Sequence, residues 1–145
     1  MKAKDIKYIV VHCADTPASM DIGVEEITDW HVNGNGWSDI GYHYVIRRDG
    51  NIETGRNLNT PGAHVKGFNS KSWGVCWVGG RGSDGNPEDN RTDEQKMSLA
   101  ALLFTLQMEA PQAKIIGHGQ LNDGKSCPNF DVEEWLEEIC FYDEI

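Results

Sequence analysis

The segment KYIVVHC at residues 7–13 is a continuous run of β-branched and other apolar residues. It lacks the strict alternation of apolar and polar residues that marks a half-exposed strand. The run therefore predicts a strand that is buried on both faces. Such a strand belongs inside a sheet that is covered on both sides, so the segment indicates a layered domain containing both helices and strands.

Three further regions have the composition of strands. Tyr42–Arg48 and Asn51–Arg56 flank the pair Asp49-Gly50, which predicts a β-hairpin whose two turn residues both have positive φ. Ser72–Val78 is a second apolar run, closed by two glycines, and Lys114–Gly117 is a short apolar segment. The polar stretch 82–90 is expected to be a surface loop.

Three helices are predicted between these strands. The first covers 24–32, with apolar residues Val24, Ile27 and Trp30 at helical spacing, and Gly34 and Gly36 end it. Thr92 opens the second as part of a capping box with Gln95. Its predicted buried stripe is Met97, Ala100, Ala101, Phe104 and Met108. Asp131 caps the third helix, whose inward residues are expected to be Val132, Trp135, Leu136 and Ile139.

The pattern predicts an α/β (mixed α+β) fold: a single domain over residues 1–145, with a central mixed β-sheet flanked by about three helices. The net charge of −10 argues against sequence-independent binding of nucleic acid, which requires a basic surface. We find neither a secretory signal peptide nor an apolar run of the roughly 18–20 residues that a membrane span needs. We therefore expect synthesis in a cytoplasm and no stable membrane association.

His12, His118 and Cys127 are the candidate metal ligands. Each histidine stands at the end of a predicted strand, and Cys127 follows His118 by nine residues in a polar loop. Two imidazoles and one thiolate are a donor set that zinc accepts, with a fourth position left for water. A nine-residue gap is not a general metal motif, so the spacing alone leaves zinc open. The other cysteines, Cys13, Cys76 and Cys140, are expected to be buried thiols.

Four segments together carry a family resemblance: VVHC (10–13), WHVNGNGWSDIGYHYVIRRDGNIETGR (30–56), GAHVKGFNSKSWGVCWVGG (62–80) and GKSCPNFD (124–131). In this order the chain resembles the type 2 N-acetylmuramoyl-L-alanine amidases, which include phage lysozyme-amidases and animal peptidoglycan recognition proteins. The resemblance is greatest to the single-domain phage enzymes and covers roughly residues 7–140.

The resemblance implies a zinc ion held by His12, His118 and Cys127. It also implies that Tyr42 and Lys125 are catalytic, with Lys125 binding the oxyanion and Tyr42 positioning the water or helping to move its proton. Strand alternation is expected to point Tyr42 and Tyr44 to one face and His43 to the other, which makes His43 a structural core histidine. His31 is expected to be a partly exposed helix residue.

The expected substrate-binding residues are His64, Lys66, Asn69 and Trp37. His64 lies in a glycine-flanked loop that borders the groove in this family. Lys66 and Asn69 suit the amides and carboxylates of a peptidoglycan stem. Trp37 suits either a sugar face or core packing. The remaining tryptophans are expected to be buried and structural: Trp30, Trp73, Trp77 and Trp135.

The implied function is zinc-dependent cleavage of the amide between N-acetylmuramic acid and L-alanine in peptidoglycan. The enzyme would be a monomeric phage or prophage endolysin that acts on the cell wall after release. Three alternatives remain: a peptidoglycan-binding module without activity, a secreted antibacterial toxin with the same chemistry, and a cysteine hydrolase with Cys127 as nucleophile and His118 as base.

Overall fold

The computed structural model describes residues 1–144. Its strands are β1 (Tyr8–Cys13), β2 (Thr16–Pro17), β3 (Tyr44–Ile46), β4 (Ile52–Thr54), β5 (Ser72–Trp77), β6 (Gly80–Arg81) and β7 (Lys114–Gly117). Its α-helices are α1 (Val24–Asp29), α2 (Asp93–Glu109) and α3 (Val132–Glu138). Single helical turns of other types cover Ala3–Asp5, Trp30–Gly34, Asn69–Lys71, His118–Gln120 and Phe141–Glu144.

Five strands form the central sheet in the order β4-β3-β5-β1-β7. Strands β3, β5, β1 and β7 are mutually parallel, and β4 pairs antiparallel with β3, so the predicted mixed sheet is confirmed. β1 lies between β5 and β7, and its residues 9–13 are all buried, as the KYIVVHC run predicts. A second, two-stranded parallel sheet joins β2 and β6.

Side chains alternate between the two faces of the sheet along β1. Ile9 and Val11 point to the face covered by α2 and α3, where the largest apolar cluster lies. Val10 points to the opposite face, toward the segment that contains Val65 and Phe68. α1 also covers this opposite face, through Ile27. His12 follows the same alternation as Val10 and therefore lies on the face of α1.

Helix α2 begins with the predicted capping box. Thr92 Oγ1 accepts from the Gln95 N–H at 3.0 Å, and the Gln95 side chain accepts from the Thr92 N–H at 3.0 Å. The predicted buried stripe is wrong in three of its five members: Met97 and Met108 are 75% and 56% exposed, and Ala101 is exposed. Ala100 and Phe104 are partly buried against the main core. The buried face consists of Leu99, Leu102, Leu103 and Leu106. The helix carries apolar residues around much of its circumference, so packing of its leucines against the sheet decides which face is buried.

Three other burial predictions, for Trp30, Ile139 and Cys140, fail because a helix ends earlier than expected. Trp30 is 43% exposed, since α1 ends at Asp29 and the chain continues as a π-helical turn that changes the spacing. Ile139 is 39% exposed because it follows the last residue of α3, and Cys140 just after it is also exposed. Burial is confirmed for Cys13 and Cys76 and for three tryptophans, Trp73, Trp77 and Trp135.

The hairpin between β3 and β4 forms where the Asp-Gly pair predicts it. Only Gly50 has a positive φ, however, at 88°, so the expectation of positive φ at both positions is wrong. The turn is a longer one, closed by the Gly50 N–H donating to the Arg47 carbonyl at 2.9 Å. None of the helices that the structure describes combines the length and hydropathy that a membrane crossing requires.

Candidate metal centre

His12 and His118 meet at the carboxyl end of two neighbouring strands. His12 is the fifth residue of β1, and His118 directly follows β7, which runs parallel to β1 with Val11 opposite Gly117. The two imidazole ring centroids are 4.6 Å apart. The strand-end positions noted in the sequence therefore place both side chains at one edge of the sheet.

Cys127 reaches the same point from the loop that follows His118. Its Sγ accepts a hydrogen bond from the Cys13 backbone N–H at 3.1 Å, and its carbonyl accepts from the Gly119 N–H at 2.9 Å. One ligand atom each of His12, His118 and Cys127 lies within 4.8 Å of the other two. The structure thus brings together the three side chains expected to bind zinc, and all three are at least partly buried.

Hydrogen bonds determine which imidazole nitrogens are available to a cation. Asn122 donates its amide N–H groups to the Lys66 and Leu121 carbonyls, so its Oδ1 accepts from His118 Nε2 at 2.9 Å. His12 Nε2 is 2.8 Å from His64 Nδ1. In both candidate ligand histidines the remaining nitrogen is Nδ1. Metal-binding histidines typically donate their other N–H in this way.

Burial keeps the clustered imidazoles neutral. It lowers the pKa of His12 well below the usual 6.5, with further contributions from His64 and His118. It also lowers the pKa of His118, although the Asn122 hydrogen bond opposes this, and it lowers the pKa of His64 to about 3. Neutral imidazole is the form that binds metal ions. At neutral pH the histidines are therefore in the protonation state that binds a cation.

The two neighbouring thiols behave differently. Hydrogen bonding with the Cys13 side chain, together with burial, raises the pKa of the Cys127 thiol. The same side-chain contact lowers the pKa of Cys13. If Cys127 binds a cation, its thiol must lose its proton, so that the cation replaces the proton on the sulfur.

Tyr42 and Lys125 both line the cavity above the three candidate ligands, which has a volume of about 990 Å³. The Tyr42 ring centroid is 5.1 Å from that of His12, and burial raises the pKa of the phenol well above 10. Lys125 is exposed at the rim, and its positive charge contributes to the lowered pKa of His118. Both residues therefore have access to a molecule bound in the cavity.

The four expected substrate-binding residues fall into two groups. Trp37 and Lys66 line the cavity with exposed side chains, so Trp37 is not a core residue. The Trp37 ring is tilted against that of His31, with the centroids 4.7 Å apart. Asn69 Oδ1 accepts from the His64 and Val65 N–H groups, both at 2.9 Å. His64 is only 8% exposed and uses both ring nitrogens in hydrogen bonds. Asn69 and His64 thus have structural partners as well as a place in the cavity wall.

His43 is the structural histidine that the sequence predicts. It is 1% exposed, its Nδ1 accepts from the Gly74 N–H at 3.0 Å, and its Nε2 donates to the Thr60 carbonyl at 2.9 Å. The face assignment behind the prediction is wrong, because Tyr44 packs under α2 whereas Tyr42 packs on the side of α1. β3 begins only at Tyr44, so strand alternation does not extend back to Tyr42.

Three residues of the site are not among the site residues predicted from the sequence. His31 is half-buried as expected, but its ring also lines the cavity and accepts from the Gly41 N–H at 2.9 Å. Asn122 orients His118, and its position four residues after that histidine is a weak signal. Ser72 is fully buried and contacts His64 at 3.2 Å, and nothing in the local sequence indicates this contact.

Comparison with known proteins assigns the chain to a family. The family model described as N-acetylmuramoyl-L-alanine amidase matches residues 2–130. The endolysin of Klebsiella phage KP32 is 46% identical over 136 residues, which are 94% of this chain and 89% of that protein. The endolysin of Escherichia phage T7 is 43% identical over 129 residues, 89% of this chain and 84% of the relative.

A solved structure supports the same family assignment. The N-acetylmuramoyl-L-alanine amidase LysC from Clostridium intestinale URNW superposes with a TM-score of 0.78 at 29% identity, over 95% of this chain and 87% of that one. Its fold is the mixed sheet with flanking helices described above. The chain therefore belongs to the N-acetylmuramoyl-L-alanine amidase family.

Proposed function

We propose that this protein is a zinc-dependent N-acetylmuramoyl-L-alanine amidase that acts as a phage or prophage endolysin. Its substrate would be peptidoglycan, and the bond cleaved would be the amide between N-acetylmuramic acid and L-alanine. The observation that carries the proposal is the convergence of His12, His118 and Cys127 within 4.8 Å in a chain of the amidase family.

The donor set fits zinc. Two imidazole nitrogens and one thiolate are ligands that zinc prefers, and three protein ligands are the number found in catalytic sites. The Asn122 and His64 hydrogen bonds leave one nitrogen of each ligand histidine for the cation. At such a site zinc supplies Lewis-acid polarisation of a carbonyl and lowers the pKa of a water molecule.

Lys125 and Tyr42 would act on the substrate from the cavity wall. The Lys125 ammonium donates hydrogen bonds to the oxygen of the substrate carbonyl as negative charge develops there. Tyr42 retains its proton at neutral pH because burial raises the pKa of its phenol. Its hydroxyl therefore serves as a hydrogen-bond donor that orients the substrate or the attacking water. Trp37 and Lys66 would bind the glycan and the peptide stem.

The electrostatics of the site disfavour a cysteine hydrolase. A thiolate–imidazolium pair needs a cysteine of lowered pKa and a histidine of raised pKa. Here the pKa of Cys127 is raised and the pKa of His118 is lowered. A nucleophilic role for Cys127 would need the opposite shifts in both groups.

The biological setting is proposed from the relatives, of which the phage proteins described above are endolysins. By this proposal the protein is made in the host cytoplasm and reaches the wall after release. A delivered antibacterial toxin would use the same chemistry, and a binding module would use the same groove without cleavage.

Digestion of purified sacculi tests the proposed chemistry. The zinc-loaded protein should release stem peptides with a free amino-terminal L-alanine and leave glycan strands intact, as measured by mass spectrometry. EDTA should abolish the release, and added zinc should restore it. Activity that survives EDTA but not iodoacetamide would instead identify a thiol enzyme. Binding of sacculi without release, by protein that contains zinc, would identify a binding module.

A further inference from the structure

His64 contacts the candidate ligand His12 directly, with His64 Nδ1 2.8 Å from His12 Nε2. We propose that His64 is a positioning residue that holds His12 in the tautomer protonated on Nε2, so that the Nδ1 lone pair is available to the cation. The inference rests on the proposed function, since it assumes that His12 is a zinc ligand. It gives His64 a role different from the substrate contact expected from the sequence.

The direction of each hydrogen bond behind His12 follows from a single backbone carbonyl. Ser72 Oγ is 2.8 Å from the Phe68 carbonyl oxygen, which can only accept, so the hydroxyl proton points there. Toward His64 Nε2, at 3.2 Å, Ser72 Oγ can then only accept. His64 therefore carries its proton on Nε2.

A neutral His64 protonated on Nε2 has an unprotonated Nδ1. This nitrogen accepts from His12, so the shared proton belongs to His12 Nε2. The series of hydrogen bonds from Phe68 through Ser72 and His64 to His12 thus has one fixed donor-to-acceptor direction, which the Phe68 carbonyl sets. The Asn122 amide does the same for His118 in one step.

The packing around His64 keeps this ring in place. A Cβ added at Gly74 would come within 2.6 Å of His64 Cγ, and one at Gly62 within 2.7 Å of His64 Cδ2. The ring therefore lies flush against two positions that only glycine fills. Asn69 holds the backbone of the same segment by accepting from the His64 and Val65 N–H groups. A ring so confined orients its neighbour more strictly than a mobile side chain does.

Two substitutions remove the chain of hydrogen bonds at different points. His64→Phe keeps a ring but removes the acceptor for His12. Ser72→Ala removes the group that fixes the His64 tautomer, and Ser72 is fully buried beneath His64. Ser70→Ala is the matched control, because Ser70 is exposed on the helical turn Asn69–Lys71 that directly precedes Ser72.

Zinc affinity and the His12 tautomer are the two readouts. Zinc dissociation constants come from competition with a chromogenic chelator, and the tautomer comes from long-range ¹H–¹⁵N correlation spectra of the metal-free protein. We expect His64→Phe and Ser72→Ala each to weaken zinc binding on the order of 10-fold, within the range known for such supporting partners. Both should also lose the exclusive Nε2–H form of His12. Ser70→Ala should match the wild-type protein.

The double variant gives the sharpest result. If Ser72 acts through His64, Ser72→Ala should cost no further zinc affinity once residue 64 is phenylalanine. Equal zinc affinity and an unchanged His12 tautomer in both single variants would overturn the proposal, as would fully additive losses. If the wild-type protein itself binds no zinc, the proposed function fails first and the positioning role falls with it.

Discussion

The loop from His118 to Cys127 has two limbs that pack against each other, one at Gly119 and the other at Lys125–Cys127. Replacing Gly119 by alanine tests how closely these limbs must pack. Gly119 follows His118, and its N–H donates to the Cys127 carbonyl at 2.9 Å. A Cβ at residue 119 would overlap the Lys125 carbonyl oxygen. The limbs would have to separate by about 1 Å to reach a normal C···O distance of about 3.3 Å. The substitution therefore moves Lys125 and Cys127 away from His118 without removing any proposed functional group.

The cost follows from two contributions. Overpacking of a tight contact costs about 1–3 kcal/mol. Loss of the Gly119–Cys127 hydrogen bond adds about 0.5–1.5 kcal/mol. Because this loop is partly exposed, we expect it to relax in the metal-free variant, so that most of the cost appears when zinc gathers its ligands. At about 1.4 kcal/mol per factor of ten, a cost of about 2 kcal/mol weakens zinc binding roughly 30-fold.

Chelator competition measures this loss, and urea unfolding of the metal-free variant shows that the fold is retained. Gly34→Ala is the control, because a Cβ at residue 34 meets nothing within 4 Å. It should bind zinc like the wild-type protein. If Gly119→Ala bound zinc as tightly as the wild type, the close approach of the limbs would not hold the site together and the reasoning would be refuted.

Four further predictions concern catalysis and pH. Lys125→Ala should retain zinc and fold but lose about 10²–10³-fold in turnover, measured as stem-peptide release; full activity would exclude the oxyanion role. Tyr42→Phe keeps the ring and should lose activity to a similar extent with zinc content unchanged. Zinc affinity should rise about tenfold per pH unit near neutrality, because the raised pKa of Cys127 means that zinc displaces one thiol proton; a flat pH profile would contradict this. Burial lowers the pKa of His64 from 6.5 to about 3, so the unfolded chain binds the proton more strongly. The free energy of unfolding of the metal-free protein should therefore fall as pH drops from 6.5 toward 3, by at most about 1.4 kcal/mol per unit for this residue, and urea titrations of His64→Phe should show a shallower slope.

Local signals in the sequence predict much of the fold. The buried run of β1 and the capping box at Thr92 depend on residues within one element, and both are confirmed. The buried face of α2 depends on what packs against it, and there the prediction selects Met97 where the sheet contacts Leu99. The prediction that Tyr42 shares a face with Tyr44 fails for a related reason. β3 begins only at Tyr44, where its pairing with β5 begins.

Less of the candidate site than of the fold follows from local sequence signals. His12, His118 and Cys127 come together because β1 and β7 are neighbours, and no spacing rule contains that information. Their donor chemistry and strand-end positions made them candidates, and the family resemblance was needed to assign a zinc ion to them. The sequence does not predict the roles of Asn122 and Ser72, because these depend on the direction of their hydrogen bonds to His118 and His64. Such directions emerge only from the assembled structure.

The position of β1 between β5 and β7 has a consequence for biosynthesis. The strand that carries His12 is made early, yet its neighbour β7 and the loop bearing Cys127 are made more than a hundred residues later. A nascent chain can fold its first segments during translation, but it cannot assemble the three ligands until the last of them has left the ribosome. Fragments from interrupted synthesis would thus be inert toward the wall, and hydrolytic capacity would arise in a single late step.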